Sequence, residues 1–290
     1  MSLLLEQPDL IDPDRSRRRR FGAGDAIAIL NARGARFEGG GDEPQLSLKW
    51  IPQGSAHYRS ERNTFRLRGE AQLLLNRGQP YQIDMHEPSE SFVVFFSRKR
   101  ADAAWAAHVG KLQAFPEVPA VAAHSHAALQ QALRRLRAEA RSIEPDGERL
   151  TESALALLGD VVVLARRHRR MAQSLPVLRR ATRDELMRRI ARAETYLIEA
   201  AGNATLRGAA SAAALSPFHL IRMFRSAYGE TPLAWAAARR LERARDALIL
   251  TADAIEAIAR TAGYESRTAF DRAFVRRFGA PPGTVRAQRN

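Results

Sequence analysis

Residues 216–232, SPFHLIRMFRSAYGETP, are echoed fifty residues later by residues 266–282, SRTAFDRAFVRRFGAPP. The pairs that agree are Ser216 and Ser266, Arg222 and Arg272, Phe224 and Phe274, Gly229 and Gly279, and Pro232 and Pro282. The same shift pairs Ala209 with Ala259 and Ala212 with Ala262, but alanine is too frequent in this chain for those two matches to carry weight. The chain therefore contains one local structure twice.

Each copy predicts a helix with defined ends. A serine stands at the N-cap position of each copy, and Pro217 follows at N1, where its missing N–H is no loss. Gly229 and Gly279 are the left-handed stops. The side chains predicted to face inward are Leu220, Met223, Phe224 and Tyr228 in the first copy and Phe270, Phe274 and Phe278 in the second.

A shorter helix and a turn precede each of these helices. Thr205 is the predicted N-cap of the first short helix, and Asp253 with Glu256 has the spacing of a capping box before the second. The turns fall at Ala214-Leu215 and at Gly263-Tyr264. We therefore predict two helix-turn-helix units, over residues 205–228 and 253–278.

One continuous helix, PLAWAAARRLERARDALIL, is predicted between the two units. About 18 residues at ~1.5 Å each make it roughly 27 Å long. A helix-turn-helix carries its second helix into the DNA major groove, and successive major grooves on one face of B-DNA lie ~34 Å apart. The spacing allows one chain to reach two adjacent grooves.

Residues 183–290 resemble the DNA-binding domain of AraC/XylS-type bacterial transcription regulators. The segments that carry the resemblance are LSPFHLIRMFRSAYGETP, RRLERARDAL and IEAIARTAGYESRTAFDRAFVRRFGAPPGTVR. It implies contacts with bases and phosphates at Phe218, Ile221, Arg222, Arg225, Arg267, Thr268, Asp271 and Arg272. Two of these depart from ordinary DNA readers. Ile221 is apolar, and Asp271 would repel phosphate but could accept from a cytosine amino group or orient Arg267. The resemblance also implies RNA polymerase as a partner, whereas the residues do not distinguish an activator from a repressor.

Composition agrees with a polyanionic partner. The chain has 290 residues and a net charge of +14, which suits two domains and a DNA-binding surface. The absence of cysteine excludes disulfides, Cys-ligated zinc and thiol chemistry. No run of 18 apolar residues exists, and no basic region precedes the short apolar start, so neither a membrane span nor a secretory signal is predicted. We expect a cytoplasmic protein.

From Phe21 to about Arg98 short alternating apolar segments are separated by turn residues about every ten positions, which is typical of an antiparallel sandwich or barrel. The stretch FRLRGEAQLLLNRGQPYQIDMHEPSESFVVFF resembles the cupin-like barrel at the N-terminus of many AraC-type regulators. The predicted fold is α+β. It comprises a flexible basic tail over 1–20 ending in RSRRRR, a sensing and dimerisation domain over 21–172 with its barrel in 21–100 and helices in 101–172, a linker over 173–181, and an all-α domain over 182–290.

A barrel of this size can hold one small ligand. Its candidate lining residues are Trp50, His57, Tyr58, Tyr81 and His86, and the alternative is that these are ordinary half-buried strand residues. His86 and Glu87 are one strand step apart and would face opposite ways, and no HxH…E cluster exists. His124 and His126 are interpreted as linker surface. No metal, cofactor or catalytic residue is therefore predicted.

The helical part of the N-terminal domain is predicted as Ala101–Leu112, a link VPAVAAHSH, Ala127–Ile143 and Glu148–Arg170. Such helices could complete the barrel core, and the resemblance implies that they form a homodimer interface. Thr182 with Glu185 predicts a capping box that opens the next helix, and Gly202 predicts its end.

Together these features predict a sequence-specific DNA-binding transcription regulator, responsive to a small-molecule effector, acting on double-stranded DNA and not as an enzyme. Two alternatives remain open. One is a cupin-type metalloenzyme fused to a DNA-binding module, and the other is a non-specific architectural DNA-binding protein.

Overall fold

The computed structural model describes residues 3–6, 27–34, 36–43, 45–60, 63–69, 71–110, 113–118, 121–123 and 127–287. The chain divides into two compact units, Met1–Arg170 and Met171–Asn290. The described strands all lie in the N-terminal unit, and the described part of the C-terminal unit is helical. The predicted succession of an antiparallel β structure and an all-α region is thereby confirmed.

Two sheets form the N-terminal unit. The first has the strand order β1-β2-β9-β4-β7-β10, and the second has the order β3-β8-β5-β6. All neighbouring strands are antiparallel except β1 and β2, which are parallel. The strands are β1 Leu3–Glu6, β2 Ile27–Gly34, β3 Phe37–Asp42, β4 Leu46–Gln53, β5 Ser55–Ser60, β6 Asn63–Arg68, β7 Gln72–Leu75, β8 Pro80–Met85, β9 Ser89–Phe96 and β10 Val121–Ala123.

The two sheets pack face to face because alternate residues of each strand point to opposite sides. Their shared core contains Ile51, Ala56, Tyr58, Phe65, Leu67, Ala71, Leu73, Leu75, Ile83 and Met85. On β4, Leu46, Leu48 and Trp50 belong instead to a second core on the other side of the first sheet.

Three helices cover that other side: α1 Arg98–Val109, α2 Ala127–Ala140 and α3 Gly147–Ser174. Ser97 caps α1 by accepting a hydrogen bond from the backbone N–H of Arg100. Trp105, Leu133 and Leu157 are fully buried in the core that these helices share with the first sheet. The helices thus complete the hydrophobic core beside the sheet.

The C-terminal unit contains the end of α3 and seven further helices in its described part. These are α4 Arg180–Glu199, α5 Leu206–Ala212, α6 Pro217–Tyr228, α7 Pro232–Leu250, α8 Ile255–Thr261, α9 Arg267–Phe278 and α10 Pro282–Ala287, with a short 3₁₀ turn at Ala201–Asn203. The prediction of one continuous helix between the two helix-turn-helix units is confirmed by α7.

Two strands lie where the sequence predicted none. Leu3–Glu6 pairs with β2, so part of the segment predicted as a flexible tail is an edge strand. Val121–Ala123 pairs with β7 inside the predicted link, because an exposed sheet edge can recruit any short extended segment. The basic run over 15–20 and the two link histidines, His124 and His126, lie outside the described residues.

Both predicted capping boxes are wrong. Helix α4 begins at Arg180, before Thr182, and its N-cap residue Arg179 makes no side-chain cap. Helix α8 has Ala254 as its N-cap, while the backbone N–H of Asp253 donates to the hydroxyl of Thr251. The backbone hydrogen bonds set both starts, since the N–H of Arg183 donates to the carbonyl of Arg179 and the N–H of Ile258 donates to that of Ala254.

The sequence also missed the last helix. Pro282 is the first residue of α10, a position that proline favours. Among the described residues, no helix is long and apolar enough to cross a membrane.

Candidate nucleic-acid interface

Helices α6 and α9 have the ends that the sequence predicted. The Ser216 hydroxyl accepts from the His219 N–H at 3.2 Å, and the Ser266 hydroxyl accepts from the Ala269 N–H at 3.2 Å. Gly229 and Gly279 end the helices with φ of 80° and 74°, the left-handed conformation that glycine adopts without strain. The predictions for both helix ends are confirmed.

The repeat is larger than the sequence comparison indicated, and its shift is not constant. Helices α5 and α8 begin 49 residues apart, and the second turn has one extra residue before Ser266. The backbone shows the same register, since Leu215 donates to Ala210 and Tyr264 donates to Ala259. The structure therefore pairs Ala210 with Ala259, which corrects the earlier pairing of Ala209 with Ala259.

Helix α4 has a counterpart in the second half of α7, and the start of α7 has a counterpart in α10. We call α4, α5, α6 and the start of α7 the first repeat, and the rest of α7, α8, α9 and α10 the second repeat. Ten buried positions correspond one to one: Ile190/Leu241, Ala193/Ala244, Leu197/Leu248, Ala209/Ile258, Ala210/Ala259, Ala213/Ala262, Leu220/Phe270, Met223/Ala273, Phe224/Phe274 and Trp235/Val285. Each set lies in its own hydrophobic core.

Helix α7 belongs to both repeats. Trp235 and Ala236, near its start, are buried in the first core, whereas Leu241, Ala244 and Leu248 are buried in the second. The sequence interpretation treated α7 as a spacer. The signal for its second role was available, because Ile190, Ala193 and Leu197 recur as Leu241, Ala244 and Leu248.

The outward face of α6 carries the predicted contact residues of the first repeat. Phe218 is 76% exposed, although a phenylalanine of a monomeric domain is normally buried. Ile221 is half-buried, and Arg222 and Arg225 are exposed. Among the described residues, no carboxylate forms an ion pair with either arginine. This face is apolar at its beginning and cationic further along.

The outward face of α9 differs from that of α6, because one of its arginines is held by carboxylates. Thr268 and Arg272 are exposed, whereas Arg267 and Asp271 are half-buried. The Arg267 Nε lies 2.8 Å from Asp271 Oδ1, and its Nη1 lies 2.6 Å from Glu256 Oε1. Asp271, followed by Glu256, raises the pKa of Arg267. Of the two roles open for Asp271, the ion pair corresponds to the second, in which Asp271 orients the Arg267 side chain.

The five candidate ligand residues of the N-terminal unit do not line one cavity. Tyr58 and Tyr81 lie between the two sheets, with ring centroids 6.1 Å apart. Trp50 points the other way, into the core beside the helices. His57 and His86 alternate with the inward residues and lie together on the second sheet, with ring centroids 6.1 Å apart, and His86 Nε2 is 3.0 Å from Asp84 Oδ2.

A buried ion pair was missed by the sequence interpretation. Lys49 Nζ lies 2.6 Å from Glu43 Oε2, and the two side chains are 2% and 0% exposed. The ammonium group also lies 4.5 Å from the centroid of the Tyr81 ring and 5.2 Å from that of Phe95. Burial alone would lower the pKa of Lys49, but the Glu43 carboxylate holds it above its ordinary value.

A sequence signal for this pair existed. Leu48 and Trp50 face the helices, so the alternation of strand β4 directs Lys49 to the interior between the sheets. Lysine is also rare in this chain, with 3 residues against 43 arginines. Among the described residues, no group of three or more His, Cys, Asp or Glu side chains could hold a metal ion.

Comparisons with known proteins agree with the helical architecture. Residues 209–288 match a family model described as a helix-turn-helix domain. The RCS-specific HTH-type transcriptional activator RclR of Escherichia coli (strain K12) is 36% identical over 91 residues. That match covers 31% of this chain and 32% of the relative, so the chain matches about a third of the relative's length.

Two solved structures are similar as well. The C-terminal domain of AraT, a response regulator from Geobacillus stearothermophilus, is 28% identical with a TM-score of 0.34, covering 36% of this chain and 88% of that one. ToxT from Vibrio cholerae O395 is 12% identical with a TM-score of 0.36, covering 90% of this chain and 97% of that one. With the family match and the two helix-turn-helix repeats in place, the C-terminal part of this chain is a helix-turn-helix domain of the AraC type.

Proposed function

We propose that this protein is a sequence-specific DNA-binding transcription regulator that places α6 and α9 in neighbouring segments of the major groove. The observation that carries the proposal is the pair of capped helices whose outward faces are exposed while their inward faces build matched cores. A surface phenylalanine, Phe218, at the start of one of them is otherwise unexplained.

The dimensions of the C-terminal unit support this placement. Helix α7 has 19 residues, which gives a length of about 28 Å at ~1.5 Å per residue. This approaches the ~34 Å repeat of the major groove. The net charge of +14 favours a polyanion, because basic side chains release counterions from DNA when they bind.

The two recognition helices have different roles in this proposal. Phe218 and Ile221 contact thymine methyl groups, and Arg222 and Arg225 bind guanine or phosphate. In the second repeat, Thr268 and Arg272 read polar base edges. The Asp271 carboxylate holds Arg267 in one orientation toward the groove, as it does in the free protein.

The N-terminal unit would sense a small molecule and form a homodimer. The interior between the sheets contains polar side chains beside its apolar core, among them Lys49, Glu43, Tyr58 and Tyr81. On α3, Leu155 is 36% and Val163 is 54% exposed, which supports a contact with a second copy. A bound effector would favour one arrangement of the DNA-binding units, and the regulator would act on RNA polymerase.

The decisive experiment is selection of bound fragments from genomic DNA with the purified full-length protein, followed by titration of the selected duplex. We expect one recurrent site with two dissimilar half-sites. Arg222→Ala and Arg272→Ala should each weaken binding by about 1–3 kcal/mol, confined to one half-site if the arginine pairs with guanine. An equal loss of affinity for every duplex would indicate that the arginine binds phosphate.

Two results would reject the proposal. Near-equal affinity for random duplexes at fixed salt would indicate a non-specific architectural protein. Stoichiometric iron, manganese or zinc in the purified protein, together with unselective DNA binding, would favour the metalloenzyme alternative.

A further inference from the structure

One arginine joins the two repeats. Arg240, on α7, donates from Nη1 to the carbonyl of Ala201 at 2.9 Å and from Nε to the carbonyl of Ala262 at 3.0 Å. Ala201 belongs to the 3₁₀ turn after α4 in the first repeat, and Ala262 ends α8 in the second. A single planar guanidinium group therefore holds the backbone of both repeats, and its fork geometry orients the two carbonyls relative to each other.

The backbones of the two repeats also touch beside this arginine. A Cβ built on Gly202 would lie 2.9 Å from the Cα of Gly263, and a Cβ on Gly263 would lie 2.6 Å from the Cα of Gly202. Gly263 has φ of 79°, and Ala201 has φ of 47°, in the left-handed region where a residue with a side chain is strained. Only glycine at both positions allows this approach, so the two turns are fitted to each other.

The equivalent arginine of the first repeat does not make such a link. Arg189 precedes Ile190 as Arg240 precedes Leu241, and it also binds a helix-turn-helix turn, through the carbonyl of Ala214 at 3.2 Å. Its Nε pairs with Glu185 on its own helix. Support of a turn is therefore common to both arginines, whereas the bond to the other repeat belongs to Arg240.

The link matters mechanically because, among the described residues, α7 is the one helix that contributes to both cores. A single helix bends gently under load, and a bend in α7 would change the angle between α6 and α9. Arg240 and the Gly202–Gly263 contact lie beside the helix axis, where they resist such a bend.

We propose that Arg240, supported by the Gly202–Gly263 contact, is a specificity-determining residue that fixes the separation and rotation of α6 relative to α9. It thereby sets how many base pairs are accepted between the two half-sites. The inference rests on the proposed function for its DNA consequence, while its structural consequence can be measured without DNA.

The first test uses distances in the free, full-length protein. The chain has no cysteine, so spin labels at Ser211→Cys and Val275→Cys, both exposed positions, report one distance between the repeats. Pulsed electron resonance should give a narrow distribution in this background. Arg240→Met, which keeps the apolar stem and removes the donors, should broaden it, whereas Arg189→Met should not. A distribution of unchanged width in Arg240→Met overturns the proposal.

A second variant keeps the proposal testable if Arg240→Met does not fold. Gly202→Ala leaves Arg240 in place and touches neither core, but its methyl group must push the Gly263 backbone away. It should shift the mean distance, and the matched Gly283→Ala, which meets nothing within 4 Å, should leave it unchanged. An unshifted mean in folded Gly202→Ala counts against the contact as a spacer.

The DNA test uses the duplex obtained by selection and a copy with two base pairs inserted between the half-sites. Two base pairs rotate one half-site by about 70° relative to the other. The wild-type protein should bind the altered duplex about 100-fold more weakly, because rigidly linked readers lose their simultaneous engagement. Arg240→Met should bind the original duplex more weakly than the wild type does. It should lose only a few-fold in affinity on insertion, because a flexible link lets both helices adjust to the altered spacing.

The outcomes separate the two proposals. Failure to select any duplex rejects the proposed function and leaves the distance measurement to decide the role of Arg240. If a specific duplex is selected and Arg240→Met retains the full wild-type penalty for the insertion, the role of Arg240 in spacing is rejected and the proposed function stands.

Discussion

The two repeats of the C-terminal unit have separate cores built from corresponding positions, and they differ at their edges. At one pair of equivalent positions, the first repeat has Tyr228 and Glu194, whose hydroxyl and carboxylate lie 2.6 Å apart. The second repeat has Phe278 and Arg245 there, with the guanidinium carbon 5.2 Å from the ring centroid. A hydrogen bond and a cation–π contact thus join the same two helices in the two copies.

A second pair of equivalent positions differs more. The first repeat has Ala191 and Ala227, while the second has Glu242 and Arg277 with their charged atoms 2.8 Å apart. The core positions set the helix packing, and different side-chain chemistries at the periphery fit the same packing. The two copies can therefore present different outward residues on one common geometry.

The largest expected effect concerns the cores. Phe224→Ala and Phe274→Ala each remove a fully buried ring and should cost about 3–5 kcal/mol of stability. Because the two cores are separate, Phe274→Ala should raise hydrogen exchange in α8 and α9 more than in α5 and α6, and Phe224→Ala should do the reverse. Denaturant unfolding and exchange measured on the full chain would check this. Equal loss of protection in both repeats would show one cooperative core.

A smaller effect is expected at the differing edge. Tyr228→Phe removes a hydrogen bond to the Glu194 carboxylate and should cost about 1.5–3 kcal/mol. The reverse change, Phe278→Tyr, has Arg245 instead of a carboxylate nearby and should cost less than about 1 kcal/mol. Chemical denaturation of both variants gives the two values. Equal costs would mean that the two edges are energetically interchangeable.

The smallest effect is pH-dependent and belongs to the second repeat. Burial raises the pKa of Glu242, but Arg277 and Arg239 outweigh it and hold the pKa below its ordinary range. A carboxylate whose pKa is lower in the folded than in the unfolded protein stabilises the fold at pH values above its ordinary pKa. This stabilisation is lost as the pH falls through the lower pKa of the folded state.

Glu242→Gln should therefore destabilise the protein near neutral pH by less than about 1 kcal/mol, since the pair is partly exposed. The difference from the wild type should vanish in acid. Denaturation midpoints of both proteins from neutral to acidic pH provide the measurement, with Ala191→Gln as the matched change in the first repeat. A difference that stays constant with pH would show that Glu242 acts through packing alone.

Much of the helical unit could be predicted because its signals are local. Serine N-caps, glycine stops and the spacing of inward phenylalanines define α6 and α9 within twelve residues each. The 3.6-residue period of an α-helix also predicts which residues face outward, among them Phe218 and Arg222. Less of the N-terminal unit was predicted, since β10 and the split of the five ligand candidates depend on which strands pair and which side each residue faces.

The sequence by itself determined that a helix-turn-helix is present twice, where its recognition helices begin and end, and that β strands precede the helices, because caps and periodicity act over a few residues. Only the tertiary structure decided that α7 belongs to both repeats, that Lys49 meets Glu43 between the sheets, and that Arg240 binds two carbonyls 61 residues apart in the chain, Ala201 and Ala262. Such contacts join residues that are distant in sequence, and no local pattern specifies their partners.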